Sequence, residues 1–330
     1  MACFAICFIC ACSPDKGKTD EKTPSSPKIR IVSTIYPAYD WVNQIIGKDN
    51  PHIQSSLLID NGVDLHSYQP TADDIAKISQ ADIVITVGGP SDKWVKDTID
   101  RASGKKPELI ALMAIPGITL LEEEPVDGHD DHHHGKHHEN HHHHDDGDAH
   151  DEHVWLSINN AITSIQAIEQ QIAKTEKTLA KDYSANASTY IGKLRALDRD
   201  YRNTITKAKN RTLVIADRFP FRYLFEDYGL TAIAAFDGCS TETRASFETI
   251  RRLASALDRH ALDAVVILEN ADGRIAKSVL AASKRPDRSI LTMNAMQSVK
   301  PGQHQGYLEI MTENLKVLTQ ALEQTSGPSK

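Results

Sequence analysis

From Asn159 to Lys209 the chain carries no Pro and a single Gly, Gly192. Apolar residues recur there at three- and four-residue spacing: Ile162, Ile165, Ile168 and Ile172, then Tyr190, Leu194, Leu197, Tyr201 and Ile205. That is the period of an amphipathic helix. Fifty residues without a strong breaker predict one helix about 75 Å long, with Tyr183 to Ser188 as the place where it could divide. An ordinary helical hairpin is the alternative. A single helix of that length would hold whatever lies at its two ends at a nearly fixed angle.

On both sides of this segment, short β-branched runs alternate with helix-period stretches. Before it, Ile29–Ser33, Leu57–Ile59 and Ile83–Val87 read as strands, and Tyr39–Ile46, Thr71–Gln80 and Trp94–Ala102 as helices. After it come strands Thr212–Ala216, Thr231–Phe236, Ala264–Leu268 and Ser289–Thr292. They alternate with helices Phe221–Tyr228, Phe247–Arg259, Arg274–Ser283 and Tyr307–Ala321. Strands that are apolar throughout, rather than alternating, are buried on both faces, as in parallel sheets covered by helices. The expected fold class is α/β, with two lobes of parallel type joined by one long rigid helix: a first lobe over residues 28–158, the helix over 159–209 and a second lobe over 210–330.

The formal charge of −8 is not spread evenly. Glu122 to His153 holds twelve acids and one base, so the rest of the chain carries about +3. Nothing there forms the concentrated basic face that nucleic acid requires. Residues 1–12, MACFAICFICAC, are apolar but too short to span a bilayer. They end on Ile9-Cys10-Ala11-Cys12, which resembles a bacterial lipobox and makes Cys12 the candidate lipidated residue after removal of a signal peptide. Residues 13–27 are small, charged and Pro-rich and read as a tether. Of the five cysteines, four lie in the leader, so the folded body keeps one thiol, Cys239, and no internal disulfide can hold it. An anchor, a tether and a folded body is the layout of a surface-bound capture protein, expected to be monomeric.

Between His129 and His150, eleven of 22 residues are His and six are Asp or Glu. Imidazole and carboxylate suit Zn²⁺, Ni²⁺ and Cu²⁺. A Gly-containing loop with no apolar period has no fixed ligand geometry, so it reads as a metal-buffering arm. Within it, His138-Glu139-Asn140-His141-His142 matches H-E-x-x-H by chance alone: half the residues are His, and no apolar stripe places them on a helix. Two isolated histidines say more. His66 lies in Gly62-Val-Asp-Leu-His-Ser-Tyr-Gln-Pro70, a loop following a strand, and His153 lies in Asp151-Glu-His-Val-Trp-Leu156, just before the long helical segment. Both belong at loops on the edge of the first lobe, where α/β sheets bind ligands.

The lipobox, V-D-x-H-x-Y-x-P-T at Val63 to Thr71 and D-x-H-V-W at Asp151 to Trp155 resemble the zinc- or manganese-binding substrate-binding lipoproteins of ABC importers. So do the acidic His-rich loop, the long central helix and Gly-Cys-Ser-Thr-Glu-Thr at Gly238 to Thr243. The resemblance covers about residues 28–325. It implies a site between the lobes, with two His from the first lobe and one or two ligands from the second, and a partner permease and ATPase. It also implies a His or Glu after the first strand of the second lobe. That position here is Arg218, which stays protonated and cannot ligate a cation.

The neighbouring Asp217 is the first substitute, with pairing to Arg218 or Arg222 as its structural alternative, and Glu269 is the second. The fourth family position falls near Gln297, with His304 nearby. The expected metal ligands are therefore His66, His153, Asp217 and Glu269. The function implied is capture of Zn²⁺, with Mn²⁺ the alternative ion, outside the membrane and delivery to an importer. A surface adhesin or metal-dependent interaction protein of the same layout is the second reading. An extracellular zinc hydrolase is the third and has no supporting motif, so no enzyme activity is expected.

Overall fold

The computed structural model describes residues 29–123 and 150–323, apart from 241, 243, 301, 303 and 304. The leader, Cys12, His304 and the His-rich run up to residue 149 lie outside the described residues. The first lobe is built from β1 (Ile29–Ser33), α1 (Tyr36–Ile46), β2 (Ile53–Leu57), α2 (Ala72–Ser79), β3 (Ile83–Thr86), α3 (Lys93–Arg101) and β4 (Glu108–Ala111). Its four strands are parallel in the order β2-β1-β3-β4. Then come α4 (Ile158–Thr175) and α5 (Ala180–Lys207).

The second lobe comprises β5 (Thr212–Phe219), α6 (Arg222–Tyr228), β6 (Thr231–Asp237), α7 (Phe247–Arg259), β7 (Ala264–Leu268), α8 (Arg274–Ala282), β8 (Ser289–Met293) and α9 (Tyr307–Leu322). It is also a parallel four-stranded sheet, in the equivalent order β6-β5-β7-β8. In each sheet the order reverses beside the first strand, so the loops leaving neighbouring strand ends diverge there and leave a crevice.

The helix expected over 159–209 is two helices. The 28-residue α5 is the long element, but it starts at Ala180. The break is made by Glu176, whose backbone turns to an extended conformation. Its carboxylate accepts the backbone N–H groups of Thr178 and Leu179 and the Tyr183 hydroxyl. Burial alone would push that carboxyl up, but these hydrogen bonds hold it at about 2. Helix α4 folds back along α5. Tyr183 to Ser188, the expected dividing place, lies inside α5. In the first lobe β2 ends at Leu57, upstream of most of the expected Leu57–Ile59 strand.

Side chains of both lobes share one core. Ile31, Ile83 and Trp41 of the first lobe, Ile165 and Leu194 of the helical pair, and Leu213, Ile215, Met293, Ile310 and Leu318 of the second all belong to it. Helix α9 closes the seam. Its Tyr307 packs edge-on against Trp41 with centroids 5.2 Å apart and donates its hydroxyl to the Trp155 carbonyl. Along β5 the side chains alternate as the pleat requires. Leu213 and Ile215 face the shared core, whereas Val214 and Ala216 face a second, local core under α7 and α8.

Candidate metal centre

Loops at the C-terminal ends of the strands of both sheets meet at the seam. Asp64 shapes the first. Its carboxylate accepts the His66 N–H, and a single 3-10 turn, Leu65–Ser67, carries His66 forward. The second, after β3, is held by buried Asp92, which accepts the backbone N–H groups of Val87 and Gly88 and the Thr34 hydroxyl. Burial raises this carboxyl to about 6 despite those bonds. The loop presents Ser91 to His66. At Gly89 a β-carbon would run into the Glu152 carboxylate, so the close approach of this loop to Glu152 requires glycine.

His66 and His153 stand with their Nε2 atoms 3.1 Å apart. His153 is fully buried, and its Nδ1 lies 2.8 Å from Asp151 Oδ1, which also accepts the His153 backbone N–H. His66 Nδ1 lies 2.8 Å from Ser91 Oγ and 3.2 Å from Glu152 Oε2. The Ser91 hydroxyl donates its one proton to Glu152, so toward His66 its oxygen can only accept. Each imidazole thus carries its proton on Nδ1 and leaves Nε2 as a bare lone pair.

Burial would raise Asp151, but its contacts with His153 more than offset it and hold the carboxyl below its ordinary value. Glu152 is likewise lowered, with burial outweighed by hydrogen bonds from His66 and Ser91. Both carboxylates are therefore charged and hold the rings by their far nitrogens, the outer arrangement typical of metal-ligating histidines. Among the described residues, His66, His153 and Cys239 form a group whose ligand atoms all lie within 4.8 Å of one another.

Residues 31–321 match the family model described as ZnuA, zinc-uptake complex component A, periplasmic. The chain belongs to the ZnuA family. The zinc-binding protein AdcA of Streptococcus pyogenes is 31% identical over 297 residues, covering 88% of this chain, which spans only 55% of that relative's length. The high-affinity zinc uptake system protein ZnuA of Bacillus subtilis is 31% identical over 321 residues, covering 97% of this chain and 95% of its own. The Zn(II)-bound ZnuA-like domain of AdcA from Streptococcus pneumoniae superposes with a TM-score of 0.70 at 26% identity, over 89% of this chain and 99% of that one. The two-lobe α/β expectation and the recognised family both agree with these likenesses.

Within this ZnuA-family chain, the second-lobe carboxylates expected as ligands stand apart from the histidine group. Asp217 accepts the N–H groups of Arg218 and Leu268. Glu269 accepts those of Ala295 and Gln297, which fixes the turn that places Gln297. Burial raises both carboxyls, Glu269 to about 7. Together with Asp64, Arg218 and Asn270 they line an open cleft beside the histidines. Arg218 donates to Asp64 at 2.8 Å, an ion pair across the seam. The alternative reading of Asp217, a pair with Arg218, is not what forms: the Arg218 guanidinium goes to Asp64, and Asp217 turns back onto backbone.

Gln297 does reach the histidines: its Nε2 is 2.6 Å from His153 Nε2. Sequence reasoning missed Ser91 and Glu152 as the partners of His66. Nothing in local spacing marks Ser91, whereas Glu152 is next to His153 and could have been weighed. No helix of the described residues is long and apolar enough to cross a membrane.

Proposed function

We propose that this chain captures Zn²⁺ at the seam between its lobes, on His66 and His153, and passes it to the permease and ATPase of an ABC importer. The observation that carries the reading is the pair of Nε2 atoms facing one another at 3.1 Å, each ring held by a carboxylate on its other side. Two lone pairs with no proton between them repel unless a cation or a proton joins them. Two neutral imidazoles favour Zn²⁺ over Mg²⁺ or Ca²⁺, which take oxygen shells. The relatives' names add support: zinc-binding proteins, a zinc uptake component and, in Streptococcus pneumoniae, a zinc-binding lipoprotein 30% identical over 340 residues. That last name fits anchoring at Cys12 outside the membrane, with residues 13–27 as tether and the first and second lobes as the divisions read above. The His-rich run gathers ions nearby. Its described rim is an antiparallel bridge between Glu122 and His150.

The adhesin reading rests on fold alone. The laminin-binding protein Lmb of Streptococcus agalactiae superposes with a TM-score of 0.71, but at 19% identity.

The test is a zinc titration of the full chain against a competing chelator, in the parent and in His66→Ala. The parent retains one tightly held ion that the variant loses. Equal retention in both would assign the ion to the His-rich run and end this reading.

A further inference from the structure

Cys239 belongs to no pattern that the fold explains. It follows β6, has no partner cysteine in the described body and is only partly buried. Yet its Sγ falls within 4.8 Å of a ligand nitrogen on each of His66 and His153. The approach is built in by Gly238. A β-carbon there would come within 2.8 Å of the Phe219 carbonyl oxygen and 3.4 Å of both Asp151 Oδ2 and His153 Cε1. Only a residue without a side chain lets this backbone lie against the His153 ring and set the next side chain within reach of a ring nitrogen. Glu123, from the first lobe, accepts the Cys239 backbone N–H at 3.3 Å and ties the turn down across the seam.

An independent feature points at the same spot. Gln297 is 4% exposed, its Nε2 approaches His153 Nε2 at 2.6 Å, and its Oε1 is buried with no hydrogen-bond partner. An orphaned buried acceptor is costly. Here it belongs to an amide already beside the histidine lone pairs, so a half-turn of that amide brings an oxygen to the same point.

We propose that Cys239 is the third protein ligand of the ion bound by His66 and His153, making a His₂Cys site with the Gln297 amide on its fourth side. The inference rests on the function proposed above and names the ligand that the second lobe supplies. Tetrahedral zinc sets ligand separations of about 3.3 Å between nitrogens and about 3.6 Å between nitrogen and sulfur, which the observed spacing reaches with side-chain adjustment. On binding, the S–H bond breaks, the sulfur's electron pair goes to the metal and the proton leaves to solvent. A thiolate also decides the ion: it is a soft donor that suits zinc and disfavours Mn²⁺.

The experiment is Co²⁺ substitution of the full chain, with a chelator present to strip weakly held ions, read by absorption spectroscopy. The expected result is an intense near-ultraviolet thiolate-to-cobalt band in the parent that is absent in Cys239→Ser, while the variant still binds one cobalt ion at least about tenfold more weakly. Imidazoles of the His-rich run give no such band. A parent that binds cobalt in a His66-dependent way without the band overturns the Cys239 assignment and leaves the histidine site standing. A band that survives in Cys239→Ser comes from the leader cysteines and overturns it too. Cobalt retained equally by His66→Ala sinks the proposed function and this inference together. Zinc-edge X-ray absorption on the unmutated chain, which needs no variant to fold, should show one sulfur at about 2.3 Å; a shell of nitrogen and oxygen alone refutes the proposal.

Discussion

The two lobes have the same strand order and meet at the same seam, yet they equip it differently. In the first lobe, the two carboxylates beside the histidines are held charged and aimed at imidazoles, Asp151 at His153 and Glu152, with the Ser91 hydroxyl, at His66, while Asp92 is raised and spent on backbone amides. In the second, carboxylates in matching loops are pushed toward their protonated forms and turned onto backbone amides. The same side chain therefore does two jobs. Next to a ring nitrogen it fixes which nitrogen is bare; next to a peptide it fixes a turn. A carboxylate at a strand end is a poor guide to ligation until its hydrogen-bond partners are known.

The sharpest way to break this comparison is His153→Ala. The first-lobe half of the site should then fail, with zinc affinity falling by more than about 100-fold in chelator competition, beyond what outer partners usually contribute. A smaller loss would mean that the second lobe holds the ion. Asp151→Asn tests the buttress rather than the ligand. It should cost about 10–100-fold in affinity while leaving the stoichiometry at one; no change would make the Asp151 contact incidental.

The third prediction separates the lobes by pH, in the metal-free protein. Glu269 is raised from 4.5 to about 7, so the folded state holds its proton longer than the unfolded chain does. The stability it contributes is complete below about 4.5 and is lost as pH rises toward 7. A variant that cannot titrate escapes that loss. Glu269→Gln should therefore gain on the parent by up to about 3 kcal/mol between pH 4.5 and 8, measured as the change in their difference in denaturant midpoints. A difference that does not move with pH refutes the reading. Asp151 and Glu152 are lowered and act oppositely: what they contribute is present above the ordinary carboxylate range and lost as pH falls below it. The smallest effect belongs to Arg218→Ala. Its pair with Asp64 is 21% and 18% exposed, and pairs open to solvent contribute roughly 0–1 kcal/mol. Zinc affinity should shift by no more than a few-fold and less still at high salt; a loss rivalling that of His153→Ala would make Arg218 part of the site.

Much of this was legible in the sequence where periodicity governs. Apolar runs such as Ala264–Leu268 and the stripe over Phe247–Arg259 have the observed bounds, because burial on both faces or on one helical face writes itself into residue order. His66 and His153 were legible as isolated candidate ligands beside a loop rich in histidine. The break at Glu176 was not: neither Pro nor Gly makes it, but a carboxylate taking N–H groups two and three residues ahead. Short β4 also passed unread, since its four residues carry only a brief apolar run. The partners of His66 were hidden for a different reason. Ser91 and Glu152 are 25 and 86 residues away from it in the chain, and only the fold brings them to Nδ1.

The core common to both lobes bears on how the molecule comes apart. Ile31 of β1, Leu194 of α5, Ile215 of β5 and Leu318 of α9 are packed into one body of side chains. Heat or denaturant should therefore take the two lobes down in a single cooperative step, and an ion at the seam should raise the melting point of both. The layer of α7 and α8, resting on its own smaller core, is where exchange of amide hydrogens can run ahead of that step. Prying the lobes apart to free the ion would mean rupturing this shared interior. Under the proposed function, a receiver would take the ion more cheaply by drawing on the loops at the strand ends while the frame behind them stays shut.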